Sequence, residues 1–257
     1  MRIRDLAAIV TGGGSGLGAA TARALAASGA RVTVLDLNED GARATAEAIG
    51  GAFARCDVSD EESVRAALAH ARDRHGPARI CVSCAGIVTG GKVVGRKGPH
   101  PLDTFSRVIQ VNLIGTFNVM RLAAADMAAL EPLPNDQGDN ERGVIVNTAS
   151  IAAFEGQIGQ CAYAASKGGV ASLSLPAARE LAPLGIRVAA IAPGVFETPM
   201  MAAMTPEVLQ PLIDSTLFPH RLGKPEEFAR LAVHIVENPM LNGATLRLDG
   251  ALRMAPS

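Results

Sequence analysis

The sequence predicts an α/β fold, one doubly wound parallel sheet of seven strands with helices on both faces, and three observations predict it. Short β-branched or apolar runs alternate along the chain with Ala-rich amphipathic segments. A glycine cluster, Gly12 to Gly18, separates the first such run from the first helix. An acid, Asp36, closes the second run. Strands joined through helices must cross back over the sheet, and they do so right-handedly, which makes the sheet parallel and covers both its faces.

In order, Leu6 to Thr11 reads as a strand, followed by a helix to about Ser28; Arg31 to Asp36 precedes a helix from Glu39 to Ile49. Ala52 to Cys56 precedes a helix from Asp60 to about His75, and Arg79 to Val82 precedes a long helix within Leu102 to Leu130. Val144 to Thr148, Ile186 to Ile191 and Thr245 to Leu248 complete the strands, with helices near Gln160 to Leu181 and Pro225 to Val236. Gly90 to Pro101, Glu131 to Arg142 and Met200 to Arg221 break the rhythm, as functional or disordered loops do. We read residues 1–257 as one dinucleotide-binding domain with a substrate lid at about 200–221.

With 257 residues, 48% of them hydrophobic, the chain can bury one sizeable core. A formal charge of -1 and a pI near 6.5 supply no field for collecting phosphate, so nucleic acid is not the expected partner. Asp, Arg or Glu interrupts every apolar run short of the ~20 residues that span a bilayer, so no membrane partner is expected. With the first strand starting near Leu6, no room for a signal peptide is read, and the expectation is a soluble, cytoplasmic protein. The four cysteines do not frame a disulfide scaffold; Cys81 and Cys84 end an apolar strand and read as buried residues, and no metal site is expected.

Thr11-Gly12-Gly13-Gly14-Ser15-Gly16-Leu17-Gly18 leads straight into a helix, the arrangement that brings backbone N–H groups and a helix N-terminus against a pyrophosphate. Gly12, Ser15, Gly16, Leu17 and Gly18 are therefore candidate cofactor contacts, weighed against a plain flexible turn. Asp36 stands where a carboxylate accepts hydrogen bonds from ribose hydroxyls and repels a 2′-phosphate; no Arg or Lys sits beside it, since Ser15 and Leu37 hold those places, so the cofactor is read as NAD. Asp57 and Val58 after the third strand, and Cys84, Ala85 and Gly86 after the fourth, lie at the ligand edge of such a sheet; Asp57 reads equally as a helix cap.

Tyr163 is the only tyrosine and Lys167 one of four lysines, and at i and i+4 they share a helix face. Dehydrogenating an alcohol needs a base for its hydroxyl proton. Bringing a phenol down two to three units from ~10 takes ~3 to 4 kcal/mol of phenolate stabilisation, which Lys167 and a positive nicotinamide are expected to supply. Ser150 ends the fifth strand and can hold the substrate oxygen, or be an ordinary helix cap. Asn112 is a poor residue for a helix interior, or a solvent-facing one.

Taken together, these motifs resemble the short-chain dehydrogenase/reductase family, through Thr11 to Gly18, Cys84 to Gly86, Asn112, Ser150, Y-A-A-S-K at Tyr163 to Lys167 and P-G-V-F-E-T at Pro193 to Thr198, over essentially the whole chain. The resemblance implies that Ser150, Tyr163, Lys167 and Asn112 are catalytic, with Ser150 and Tyr163 on the substrate. It also implies that Asn112 anchors a water-linked relay through Lys167, that Tyr163 and Lys167 also touch the cofactor, and that Phe196 and Thr198 contact the nicotinamide end. The family's usual Asn-Ala-Gly is Cys84-Ala85-Gly86 here, a departure of small consequence if backbone makes the contact.

Ala152 to Gln160, Leu175 to Val188, Phe218 to Gly223, Glu237 to Gly243 and Arg247 to Met254 look like the type II 3-hydroxyacyl-CoA dehydrogenase branch, also known for 2-methyl-3-hydroxybutyryl-CoA and hydroxysteroids. That resemblance implies an acyl-CoA substrate and a homotetramer. Lys92, Arg96 and Lys97 in the Gly90 to Pro101 loop suit a CoA phosphate or plain solvent. Met200, Met201, Met204, Val208, Leu209, Leu212 and Ile213 suit an apolar lid or ordinary packing. A hydroxysteroid or other secondary-alcohol dehydrogenase, a 3-oxoacyl-carrier-protein reductase, and a non-catalytic dinucleotide-binding scaffold remain as alternatives.

Overall fold

The computed structural model describes residues 1–133, 140–202 and 206–256. Nine strands and nine α-helices are seen among them. The main sheet contains β1 (Ala7–Thr11), β2 (Arg31–Asp36), β3 (Ala52–Arg55), β4 (Ile80–Ser83), β7 (Gly143–Thr148), β8 (Ile186–Pro193) and β9 (Thr245–Leu248), all parallel, in the order β3-β2-β1-β4-β7-β8-β9. The remaining pair, β5 (Val94–Gly95) and β6 (Gly98–Pro99), is a small hairpin within the Gly90 to Pro101 connection. The chain runs outward from β1 to β3 and then returns to pair β4 with β1, so a crevice opens beyond the carboxyl ends of β1 and β4, where ligands of such sheets bind.

Side-chain parity along the strands shows why the sheet is covered twice. Ala8, Val10, Ile80, Val82, Val144 and Val146 point to one face, against α1 (Gly16–Ala27), α2 (Glu39–Ile49) and α9 (Pro225–Glu237), with the fully buried Leu25 and Phe228 as the largest fillers. Ile9, Cys81 and Ile145 point to the other, against α3 (Glu61–His75), the helical stretch Leu102–Ala128 and α6 (Cys161–Leu181). Neighbouring α2 and α3 are conventionally finished: Asn38 and Asp60 accept hydrogen bonds from their first-turn amides, and acids occupy both first turns.

Two expectations change. The long helix within Leu102 to Leu130 is divided into α4 (Leu102–Ile109), one π turn (Gln110–Ile114) and α5 (Gly115–Ala128), because the backbone accommodates one extra residue around Asn112. This stretch is also long and apolar enough to cross a membrane by length and composition, its most apolar 18 residues averaging a hydropathy of 1.3, which corrects the expectation that no run approaches spanning length, although Arg107, Arg121 and Asp126 do interrupt it. Its apolar side is spent instead on the sheet and α3: Val119, Met120, Ala123 and Met127 lie in the core. The connection after α5 is anchored by Glu141, which pairs with Arg187 at 2.7 Å, while Arg187 also donates to the backbone carbonyls of Ile235, Val236, Asn238 and Leu241. Residues 134–139 of that predicted loop lie outside the described residues.

Candidate active site

The glycine turn is shaped by backbone contact. Gly12 has φ +62°, and a Cβ there would stand 2.6 Å from the Ala85 amide nitrogen; a Cβ on Gly18 would overlap the Gly12 carbonyl oxygen. Only hydrogen fits at either place, so the first turn of α1 is drawn onto the loop. Unlike α2 and α3, α1 has no side-chain cap on its amides and no acid in its first turn, so its positive end is left facing the crevice. Asp36 is fixed at 2.9 Å on each oxygen, Oδ2 by the Gly14 N–H and Oδ1 by the Asn38 N–H, with lone pairs to spare. Thr198 packs over Gly16. These features fit a dinucleotide: donors and a helix N-terminus for the pyrophosphate, and an oriented acceptor for a ribose diol.

At the other end, three elements converge. Ser150 follows β7 and caps a short 3₁₀ turn, Ile151–Ala153, its Oγ accepting from the Ala152 N–H at 3.1 Å. Tyr163 and Lys167 come from the first two turns of α6. Ser150 and Tyr163 line the same cleft, and the Ser150 hydroxyl partly offsets the effect of burial on the Tyr163 phenol. Lys167 is buried, its Nζ donates to the Thr148 carbonyl at 2.7 Å, and it lies 5.9 Å from the Tyr163 ring centre.

Asn112 stands behind this group rather than in the cleft, fully buried. Its Oδ1 accepts from the Ile87 N–H at 2.8 Å, and its Nδ2 donates to the Ile87 carbonyl at 2.9 Å and to Ser166 Oγ at 3.0 Å. Ser166 in turn donates to the Tyr163 carbonyl at 2.7 Å. The π turn thus aims Asn112 to tie the loop after β4 to the turn of α6 that carries Tyr163. Gly86 leaves room for this: a Cβ there would lie 3.3 Å from Asn112 Oδ1 and 3.5 Å from Lys167 Nζ.

The electrostatics run against the expectation of a lowered phenol. Burial raises the Tyr163 pKa, with the Ser150 hydroxyl acting in the opposite direction. Burial also brings Lys167 down to about 8, and pushes the Cys84 thiol up to about 11. Water removed from three charged forms costs more than these neighbours return, so each group is biased toward neutrality.

Gly12, Ser15, Gly16, Leu17, Gly18, Asp36, Asp57, Val58, Cys84, Ala85, Gly86, Ser150, Tyr163, Lys167, Phe196 and Thr198 all line one cleft of about 520 Å³. Asp57 is not the cap of α3, which is Asp60; its Oδ1 instead holds the N–H and hydroxyl of Ser59 in the turn before it, and the Ser59 hydroxyl keeps the Asp57 carboxyl below the usual range. Ala85 donates its N–H to Thr11 Oγ at 3.3 Å, and Cys84 accepts from the Thr148 hydroxyl. Lys92, Arg96 and Lys97 are exposed on the hairpin and do not line the cleft. Met201 and Leu212 of the apolar segment do line it, while the side chains of Met200, Met204, Val208 and Leu209 lie outside the described residues. Thr148, Gln157, Gln160 and Met254 also line the cleft; the sequence places the last three in segments of family resemblance but marks none of the four as a site residue. The four cysteines are free, and no metal-holding cluster occurs among the described residues.

Residues 6–208 match the family model described as short chain dehydrogenase. The chain is 50% identical to the 3-hydroxyacyl-CoA dehydrogenase type-2 of Homo sapiens, covering 99% of this chain and 97% of the relative, and 49% identical to that of Drosophila melanogaster, covering 99% and 100%. A crystal structure of 3-hydroxyacyl-CoA dehydrogenase type-2 from Mycobacterium avium superposes with a TM-score of 0.92 at 44% identity, covering 98% of each chain.

Proposed function

Because the chain belongs to the short-chain dehydrogenase family, we propose that it is an NAD-dependent dehydrogenase interconverting 3-hydroxyacyl-CoA and 3-oxoacyl-CoA, with Tyr163 as general acid/base. The observation that carries this reading is the single cleft with a dinucleotide cradle at one end and Ser150, Tyr163 and Lys167 together at the other. The acyl-CoA class rests on 3-hydroxyacyl-CoA dehydrogenases type-2 that share half of their positions with this chain.

NAD, when bound, supplies the acceptor or donor of the hydride. Ser150 holds the substrate oxygen by hydrogen bond. Tyr163 takes the hydroxyl proton during oxidation and returns it during reduction, within reach of the same oxygen. Lys167, fastened to the Thr148 carbonyl, is placed to favour the ionised phenol while it stays protonated, below about pH 8. Asn112 fixes the α6 turn that carries Tyr163 through Ser166, and its place beside Lys167 suits a water-linked relay. Asp36, held by two backbone amides, is read as the acceptor for ribose hydroxyls, which favours NAD over a cofactor with a 2′-phosphate.

Homotetramer assembly is part of the proposal, supported by apolar side chains left exposed on two helices, Phe117 on α5 and Leu175 on α6; light scattering reads it directly. A cytoplasmic setting is proposed on the four free thiols. The activity is tested by steady-state reduction of acetoacetyl-CoA with NADH and with NADPH, with Tyr163→Phe as control. Turnover linked to NADH and lost in the variant is expected; a folded, NADH-binding protein without turnover overturns the acyl-CoA reading.

A further inference from the structure

Two segments singled out in the sequence, Ala152 to Gln160 and Arg247 to Met254, lie 92 residues apart in their principal contact, and the structure clips them together. Arg247 at the end of β9 grips both oxygens of Glu155, at 2.8 and 3.0 Å, while its Nε donates to Asp249 at 2.7 Å and its charge lies over the Phe154 ring. The segment after β9 is then drawn along the loop. Met254 donates its N–H to Glu155 Oε2 at 3.3 Å, Ile158 donates its N–H to the Pro256 carbonyl at 2.8 Å, and Gln157 Nε2 donates to the Ala255 carbonyl at 3.1 Å. Leu252, 1% exposed, anchors the segment in the core. Arg253 adds a second cation to Glu155 and Asp249 from the solvent side.

This clip reaches the chemical end of the cleft by two routes. Met254 itself lines the cleft, together with Met201 and Leu212. Gln157 accepts the backbone N–H of Gln160, and Gln160 accepts the Ala164 N–H at 2.7 Å, so the loop held by the clip leads into the first turn of α6, one residue beyond Tyr163. A bidentate Arg–carboxylate pair fixes direction as well as distance. No part of the dinucleotide cradle is touched by any of these contacts.

We infer that the segment Ala251–Pro256 forms the wall of the cleft that the acyl chain of the substrate lies against, with Met254 setting the length of chain accepted and Glu155 and Arg247 as positioning residues that hold this wall. The inference rests on the acyl-CoA reading of the site. Met is unbranched and flexible, suited to an adaptable apolar boundary, and a change of side-chain volume here alters the room left for methylenes without altering the reacting atoms.

The test is the ratio of kcat/KM for 3-oxooctanoyl-CoA to that for acetoacetyl-CoA, measured with the full chain. Met254→Ala is expected to raise this ratio about tenfold and Met254→Trp to lower it by a similar factor, with the dissociation constant of NADH unchanged in both. Glu155→Gln is expected to raise KM for either thioester more than it lowers kcat, again with NADH binding unchanged, and Glu155→Asp to restore part of the loss. Thermal unfolding of each variant checks that the fold is kept, and the opposed pair at Met254 protects the result against a general loss of packing. A ratio that stays at the wild-type value in both Met254 variants overturns the inference while leaving the functional reading in place. A wild-type chain that reduces neither thioester overturns the functional reading and the acyl wall with it.

Discussion

The two ends of the cleft are built differently. The dinucleotide cradle is made of backbone: glycines that admit no Cβ, a helix whose first amides are left uncapped, and a carboxylate aligned by two N–H groups. The chemical end is made of side chains gathered from β7, α6 and the π turn, joined by hydrogen bonds across 19 and 54 residues of sequence. The chemical end holds a phenol and an ammonium that burial biases toward neutral forms. The difference teaches that the fold fixes position at both ends but leaves the charged forms at the chemical end disfavoured.

The sharpest way to separate the two ends is Tyr163→Phe, which removes one oxygen from the chemical end. Turnover is expected to fall by about 10³-fold or more while NADH affinity, measured by fluorescence titration, stays within about twofold. An equal loss of both would erase the distinction. Next in size, Gly12→Ala places a methyl against the Cys84–Ala85 backbone at a positive φ, and is expected to cost about 2 kcal/mol of stability and weaken NADH binding, read by denaturant unfolding and titration.

Asp36→Asn retains the size of the side chain but removes its charge. The preference for NADH over NADPH in kcat/KM is expected to narrow by about tenfold, chiefly through KM, since the change is confined to the cradle.

The smallest effect expected is a pH dependence. Lys167 is brought down to about 8 by burial, from an ordinary value of 10.5, so the folded chain releases this proton at a lower pH than the unfolded chain. Its contribution to stability therefore rises as pH increases from about 8 towards 10.5, where the cost of burying its charge is relieved. Reductive kcat/KM is expected to be level below pH 8 and to fall above it as the charge behind Tyr163 is lost. Thermal scans against pH, with Lys167→Met as the variant lacking the rise, check the first statement, and a pH–rate profile checks the second.

The sheet and the cradle were legible because their signals are local. Val32 to Asp36 declares a strand by its own residues, and the glycines announce both the turn and the start of α1. Tyr163 and Lys167 stood out for a different reason, since a lone tyrosine four residues before a scarce lysine is conspicuous in any window, and the structure brings both into one cleft with Ser150. The π turn was not legible, since Asn112 marks a poor helical position but its buried partners, Ile87 and Ser166, arrive from elsewhere in the chain. Nor was the rise in the Tyr163 pKa, because desolvation depends on how closely the cleft walls approach the ring. The Arg247–Glu155 clip joins residues whose separation conceals any pattern, and the Lys92, Arg96 and Lys97 cluster, conspicuous in sequence, lies exposed on a hairpin away from the cleft.

With one tyrosine and no tryptophan in the chain, phenolate absorbance reports on Tyr163 alone. Titrating the folded protein by this signal, first free and then saturated with NAD⁺, tests most directly whether the charge at the chemical end is completed from outside. A midpoint above the ordinary 10.0 in the free chain that drops on adding NAD⁺ is the predicted result. A midpoint already below 10.0 in the free chain, or one that NAD⁺ leaves in place, contradicts it.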